Sequence, residues 1–275
     1  MPAEPRPQVP DADVRAGLTR FYRTNALYAS QQATHDEEYF SRLLAVAQEV
    51  LPDEPLRVLD LGAASGGALR ALRRVRPRVD PVAVDLSWAS LQRAVRAGGA
   101  PPRAVVGDAL DLPFQTASLD VVMAFEVVEH LPDVERALGE VLRVLRRPGY
   151  VLLGVPNHSS LWTPLVDLVR GRRRLAFGVD TRRGAWRWWR RNAALSAAKR
   201  LSRRAQFLYR PPVLETGLSG DWDAVYYACP LDVIRFFRAR GATLVTSFTR
   251  VRLGPLASCI PCELQGSAVL AWRVD

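Results

Sequence analysis

The stretch RVLDLGAASGG, residues 57–67, runs from an apolar segment through an acid, Asp60, into a loop carrying Gly62, Gly66 and Gly67. ALRALRRV follows with the spacing of a helix start. Glycine loses more conformational freedom on folding than any other residue, so a cluster of them marks a sharp turn or a close approach of the main chain to something else. A plain turn needs one or two. The loop therefore predicts a ligand lying against the backbone where a strand passes into a helix. Its neighbours have to say which ligand.

Working outward, LRVLDLG reads as a buried strand and residues 66–75 as a helix. VDPVAVDLS is a strand, and WASLQRAVRAG a helix closed by Gly98. RAVVGDA and LDVVMAF are strands, DVERALGEVLRVL is a helix terminated by Pro148 and Gly149, and GYVLLGVPN is a fifth strand. Short apolar runs alternating with amphipathic helices predict βαβ units and a parallel sheet covered on both faces. Near the C-terminus, PLDVIRFFRARG reads as a helix capped by Gly241, and ATLVTSFTRV and GSAVLAWRV as strands joined without a helix. Such a pair is expected to be antiparallel, because a parallel crossover needs a longer connection. Upstream, residues 11–23 and 34–50 have helical spacing, with Phe40, Leu43, Leu44 and Ala47 on one face.

The 275 residues are 48% hydrophobic and carry a net charge of +10. That positive excess is local. Fourteen Arg or Lys and one acid, Asp180, lie between Arg170 and Arg210, and the remaining 24 bases and 27 acids leave the rest at −3. Such asymmetry points to a nucleic acid, an anionic lipid surface or an acidic substrate, against the plainer reading of a solvated helix face. The three cysteines, Cys229, Cys259 and Cys262, are too few for a disulfide framework and suit a reducing compartment. The lone CIPC lacks the further ligands of a zinc site. MPAEPRPQVP has no apolar core, so a signal peptide is not expected, and no apolar run reaches membrane-spanning length.

GAASGG spaces its glycines as G-x-x-x-G-G, which misses the dinucleotide fingerprint, and no Lys-Ser or Lys-Thr follows to make a phosphate loop. Asp85 ends the second strand nineteen residues after Gly66, where a carboxylate accepts from both hydroxyls of a ribose. Asp108, in GDALDLPF, ends the third strand, and FEVVEHLPD follows the fourth. The plainer reading of either acid is a turn cap.

In this order the motifs resemble the class I S-adenosylmethionine-dependent methyltransferases, nearest the branch of the ubiquinone and menaquinone biosynthesis enzymes, over residues 35–156 and 229–275. The resemblance implies a Rossmann-like α/β fold: a doubly wound, mostly parallel seven-stranded sheet with an antiparallel last strand, plus a basic helical insert. It implies S-adenosylmethionine as cofactor. The chain would divide into an N-terminal tail and helices (1–50), a cofactor-binding core (51–156), the basic aromatic-rich insert (157–228) and the C-terminal part of the core sheet (229–275).

The same resemblance implies roles for individual residues. Asp60 would face the methionine ammonium. Gly62 and Gly66 would let the backbone close on the cofactor, with the helix N-terminus near Gly67 toward the carboxylate. Asp85 would take the ribose diol, Asp108 with Ala109 the adenine, and Phe125 with Glu126 the floor beside the sulfonium. Ala64 stands where the family usually has glycine, which is tolerable if its φ is negative.

Methyl transfer from a sulfonium asks mainly for positioning, plus a base where the acceptor must lose a proton. In Glu126-Val-Val-Glu129-His130, His130 is the candidate base and Glu129 its catalytic companion. The E-x-x-E-H spacing also resembles relatives that hold a divalent ion, while a purely structural role for Glu129 and His130 remains an alternative; no metal is assigned. Tyr28, Tyr226 and Tyr227 are candidate pocket-wall residues.

Within the insert, Ala194, Ala197, Ala198, Leu201, Ala205 and Leu208 form a stripe expected to pack on the domain, with Arg191, Lys199, Arg200 and Arg203 at its flanks and back. Trp186, Trp188 and Trp189 are hard to bury together, and Trp interleaved with Arg suits a membrane interface or single-stranded RNA. The expected function is methylation, with oxygen favoured, of a small-molecule or lipid-linked acceptor. It would take place in the cytoplasm, with 170–210 as a possible anchor to an anionic membrane at its inner face. The alternatives are an RNA methyltransferase and a non-catalytic cofactor-binding regulator.

Overall fold

The computed structural model describes residues 7–25, 37–96, 103–163, 169, 181–214, 222–249 and 267–275. Tyr28, Cys259 and Cys262 lie outside them, as does much of the basic stretch before Thr181. The strands are β1 Leu56–Leu61, β2 Val79–Asp85, β3 Arg103–Val106, β4 Leu119–Phe125, β5 Leu145–Val155, β6 Thr243–Thr249 and β7 Ala268–Val274. The helices among the described residues include α1 Ala12–Thr24, α2 Glu37–Val50, α3 Gly67–Val75, α4 Trp88–Arg96, α5 Val134–Val144, α6 Arg182–Leu201 and α7 Pro230–Arg238.

The strands form one sheet in the order β3-β2-β1-β4-β5-β7-β6. Neighbours from β3 to β5 are parallel, and β7 runs antiparallel to both β5 and β6. This is the expected Rossmann-like sheet with its reversed last strand. Alternation along β1 shows why both faces are apolar. Leu59 and Leu61 join one core with α5 and α7, while Leu56 and Val58 join the other with α2, α3 and α4. Each buried aliphatic side chain contributes about 1.5–3 kcal/mol. Strand order reverses between β1 and β4, and in such sheets the crevice at that switch point, beyond the strand carboxyl ends, is where ligands bind.

Helix starts follow their caps. Asp11 accepts from Val14 N at 2.9 Å, Asp133 from Arg136 N at 3.1 Å and Thr181 from Gly184 N at 3.0 Å. Pro148 and Gly149 do not terminate α5 in a loop. The chain enters β5 directly at Leu145, and the ladder with β4 slips between Leu145 and Tyr150. A proline is tolerated at such an irregularity because no ladder hydrogen bond is asked of it.

The insert overturns the expected packing of its helix. Ala194, Ala197, Ala198 and Leu201 face solvent, Leu201 at 86% exposure. The buried face is Ala185, Trp188, Asn192, Ser196 and Lys199. Hydrogen bonds hold it. Tyr227 Oη accepts from Trp188 Nε1 at 2.7 Å and from Arg191 Nη2 at 2.9 Å, and it donates to Asn192 Oδ1 at 2.7 Å. Asn192 Nδ2 donates to the carbonyls of His158 and Ser160. Tyr226 and Tyr227 are therefore buried supports of the insert, 0% and 1% exposed, and not pocket walls. Lys199 is buried against Asp232 of α7 rather than lying at the back of the helix.

Candidate active site

Of the candidate cofactor residues, Asp60, Gly62, Asp85, Asp108, Ala109, Phe125 and Glu126 line two adjoining chambers at the carboxyl end of the sheet, which share Gly62 and Ala64, while Gly66 lines neither. The smaller is lined by Phe40, Asp60, Ser65, Gly67, Phe125 and Glu126. The larger, a cavity of about 450 Å³, lies beyond β2 and β3 and reaches His130 and α1. That volume is within the range of small-molecule sites.

The glycine loop is fastened to β2. Gly62 N and Ala63 N both donate to Val84 O, at 2.8 and 3.0 Å, and Ala64 N donates to Asp85 Oδ2 at 2.9 Å. Gly62 is required twice over. Its φ is +70°, and a Cβ there would lie 2.4 Å from Val127 Cγ2. Gly66, φ +74°, turns the chain into α3, which starts without a side-chain cap. Ala64 departs from expectation, because its φ is +46° and not negative. Glu126 at the end of β4 also has positive φ, +54°. Left-handed backbone at a residue with a Cβ costs roughly 1–3 kcal/mol and clusters where function demands the shape. Ala64 and Glu126 both line the smaller chamber, whereas the third such residue among those described, Ala117 at φ +55°, lines neither chamber.

The acids differ in environment. Asp60 is 2% exposed, and its Oδ2 has no hydrogen-bond partner. Burial first, and then the charge of Asp85, push its carboxyl well above the ordinary value of 3.8. Burial also pushes Asp85 up, held back by the N–H groups of Ser87 and Ala64. Each Asp85 oxygen already accepts one of these bonds, Oδ1 from Ser87 at 2.7 Å, so lone pairs remain on both. Asp108 accepts from Leu110 N at 2.9 Å while lining the larger cavity beside Ala109. A buried carboxylate oxygen without a partner, with a second carboxylate near, is complementary to a cation. Asp60 and Asp85 thus suit a ligand bearing an ammonium and a ribose.

At the other end of the cavity, His130 ends a short 3₁₀ turn, Val128–His130. Its Nδ1 is buried 3.1 Å from Asp223 Oδ2, a charge contact that falls short of linear hydrogen-bond geometry. Catalytic hydrogen bonds are often poorly aligned before substrate binds. Tyr22 Oη donates to the same Asp223 oxygen at 2.8 Å, and its ring lies edge-on to the imidazole. Burial pushes Asp223 up, but the charge of His130 beside it and the hydrogen bond from Tyr22 outweigh it and hold the carboxyl below its ordinary value.

Glu129 is placed differently from its neighbour. It is 1% exposed, lines neither chamber, and its Oε1 lies 3.7 Å from His130 Nε2. Glu126 and His130 line different chambers. Among the described residues, no three His, Cys, Asp or Glu side chains converge as a metal site.

Sequence reasoning missed Phe40, Tyr22 and Asp223. Phe40 was assigned to a helix face, yet its ring meets Phe125 edge-on at 5.5 Å and walls the smaller chamber. Tyr22 shares a helix face with Arg15, Leu18 and Thr19, all of which line the larger cavity, and that spacing was a usable signal.

Comparison with known proteins agrees with this fold. Residues 59–153 match the family described as "Methyltransferase domain". The chain is 30% identical over 242 residues to a malonyl-[acyl-carrier protein] O-methyltransferase of Halorhodospira halophila, covering 83% of this chain and 72% of that protein. It is 35% identical over 126 residues to a demethylmenaquinone methyltransferase of Thermobifida fusca, covering 44% of this chain and 52%, about half, of that protein. Its fold is shared by the magnesium protoporphyrin IX methyltransferase of Synechocystis PCC 6803, solved with bound SAH, at TM-score 0.58 and 11% identity over 95% of this chain and 100% of that one. With its switch-point crevice, its acids at the strand ends and a relative matched over most of both sequences, the chain belongs to the class I S-adenosylmethionine-dependent methyltransferases.

Proposed function

We propose that the protein methylates an oxygen of a small-molecule or lipid-linked acceptor held beside His130. The observation that carries the reading is that the two chambers meet at Gly62 and Ala64, with Asp60 on one, and Asp85 and a carboxylate-backed imidazole on the other. In this reading Asp60 holds the ammonium of the cofactor's methionine, and Asp85 accepts from the ribose hydroxyls. Asp108 and Ala109 border the adenine. Phe125, Glu126 and Phe40 wall the methionine end, and Gly62 and Gly66 give the loop its shape. Bound S-adenosylmethionine supplies an activated methyl group on a sulfonium. The chain's own residues orient the acceptor, exclude water and take its proton at His130, with Glu129 as its companion, Oε1 3.7 Å from Nε2. An imidazole is the side chain suited to accept a hydroxyl or phenol proton near neutral pH. Small-molecule and carrier-linked acceptors are named for relatives such as the two methyltransferases above.

The cofactor assignment is tested by calorimetry. Asp85→Ala should weaken S-adenosylmethionine binding by about 1–3 kcal/mol, as for loss of a charged hydrogen-bond acceptor. Binding as tight as the parent's would refute the ribose role.

The exposed side of α6 supports a surface role for the insert. Trp186, 58% exposed, stacks on Trp189 at 5.2 Å, flanked by exposed Arg183, Arg187 and Arg190, and Leu201 continues the face. Among the described residues no helix is long and apolar enough to cross a membrane, so the contact would be peripheral. Indoles and guanidinium groups on one helix face suit an anionic lipid interface. Vesicles containing anionic lipid should bind the protein, release it with salt and shift its tryptophan emission to the blue. Trp186→Ala should reduce that shift. RNA displacing the protein from vesicles at physiological salt, and becoming methylated, would replace the lipid reading.

A further inference from the structure

The insert does more than offer a surface, because its closing arm carries Asp223 to His130. Arg210 N donates to Val225 O and Tyr227 N to Leu208 O, each at 2.7 Å, pairing two strands of the arm. Val225 N and Tyr226 N both donate to Glu129 O at 2.9 Å, fastening the arm to the turn that bears His130. Asp223, with its side chain 5% exposed, is thereby held under the Nδ1 edge of the ring. Tyr22 reaches down from α1 to the same carboxylate oxygen.

We propose that Asp223 is the positioning residue of an Asp223–His130 pair, set by Tyr22, that keeps the proton on Nδ1 and leaves Nε2 to receive the acceptor's proton. This rests on the reading above that His130 is the base. A free imidazole has two distinct nitrogens, and the partner of one decides which is protonated. A buried carboxylate beside Nδ1 fixes the N–H there and stabilises the imidazolium once the acceptor oxygen has given its proton to Nε2. Among the described residues, the charged and titratable groups that meet the ring are Asp223 from the arm, Tyr22 from α1 and Glu129 from its own turn. Asp85, Asp108, Asp111, Arg15 and Arg136 also line the cavity. Asp223 alone meets the buried nitrogen at ion-pair distance among the described residues.

The test needs no acceptor. Nitrogen NMR of the full chain labelled in its three histidines reports tautomer and titration of each ring, and His130→Ala assigns the signal. The parent should show His130 protonated on Nδ1 in its neutral form. Asp223→Asn should lose that signature and move the titration midpoint down. Tyr22→Phe frees an oxygen of Asp223 from its hydrogen bond, so the midpoint should move up, which gives a second arm if Asp223 variants do not fold. S-adenosylhomocysteine affinity, measured in parallel, should stay within about twofold, showing that the cofactor site is intact. An unchanged tautomer and midpoint in a folded Asp223→Asn or Tyr22→Phe variant would overturn the proposal. The base role fails separately: His130→Ala then keeps full turnover whatever the NMR shows.

Discussion

Replacing Lys199 by alanine should lower the free energy of unfolding by about 3–5 kcal/mol, the cost of leaving a buried charge without its partner. Lys199 and Asp232 are 1% and 0% exposed and pair directly. Lys199 Nζ also donates to Gln206 O at 2.8 Å, and Gln206 N donates back to Asp232 Oδ1 at 2.9 Å. Tyr226 Oη donates to the other Asp232 oxygen at 3.2 Å. This knot ties α6 to α7 and thus the insert to the sheet. Removing the amine leaves the fully buried Asp232 carboxylate without its cation. Replacing both residues, Lys199→Met with Asp232→Leu, should recover most of the loss, because well-packed apolar residues of similar volume commonly match a buried ion pair. Denaturant midpoints of the two variants measure this. A single variant as stable as the parent would show that the pair contributes nothing to the insert's attachment.

The largest expected effect on chemistry is at His130. His130 has its Nδ1 buried against Asp223 and lines the larger cavity, and the proposed role for it is to take a proton. His130→Ala should lower turnover about a hundredfold, in the usual range for a lost general base. That corresponds to roughly 2.7 kcal/mol of transition-state stabilisation. S-adenosylmethionine affinity should change little, since Asp60 and Asp85 are untouched. Turnover is read as labelled methyl transferred to the acceptor that becomes labelled in a cell extract. Unchanged turnover on that acceptor would remove the base role, and rescue by magnesium would move the cluster to metal chemistry.

The strand-end acids were legible because position along a parallel strand decides which residues reach the crevice. Asp60, Asp85 and Asp108 needed only the count of strands and the place where each apolar run stops. The conformation of Ala64 was not legible. Its positive φ arises from the fastening of the loop to Val84 O and to Asp85, which is a tertiary demand. The helix α6 was misread for a related reason. A stripe of alanines looks like a packing face when burial is equated with apolarity, yet Asn192 and Lys199 are buried because hydrogen bonds and an ion pair compensate them. Asp223 had no local signal at all. It sits far along the chain from His130, in a segment otherwise notable for its arginines, and only the pairing of the arm with Glu129 O brings the two together.

The central claim is that the acid-lined crevice receives the cationic methionine end of S-adenosylmethionine, and proton linkage tests it most directly. In the empty protein Asp60 and Asp85 are both raised, so the folded state binds more protons than the unfolded chain in the window above 3.8. Stability of the empty protein therefore falls as pH rises through that window, because a raised carboxyl favours the protonated form. A bound ammonium favours the ionised form instead. Binding must then release protons, and affinity must rise with pH. Calorimetric titration from just above 3.8 upward, kept below the α-amino pKa, covers the window into which the two carboxyls are raised and keeps the ligand's ammonium charged throughout. Binding heats should differ between two buffers of different ionisation enthalpy, with proton release by the parent and loss of that release in Asp60→Asn. Binding heats independent of buffer, with affinity flat across this range, would contradict it.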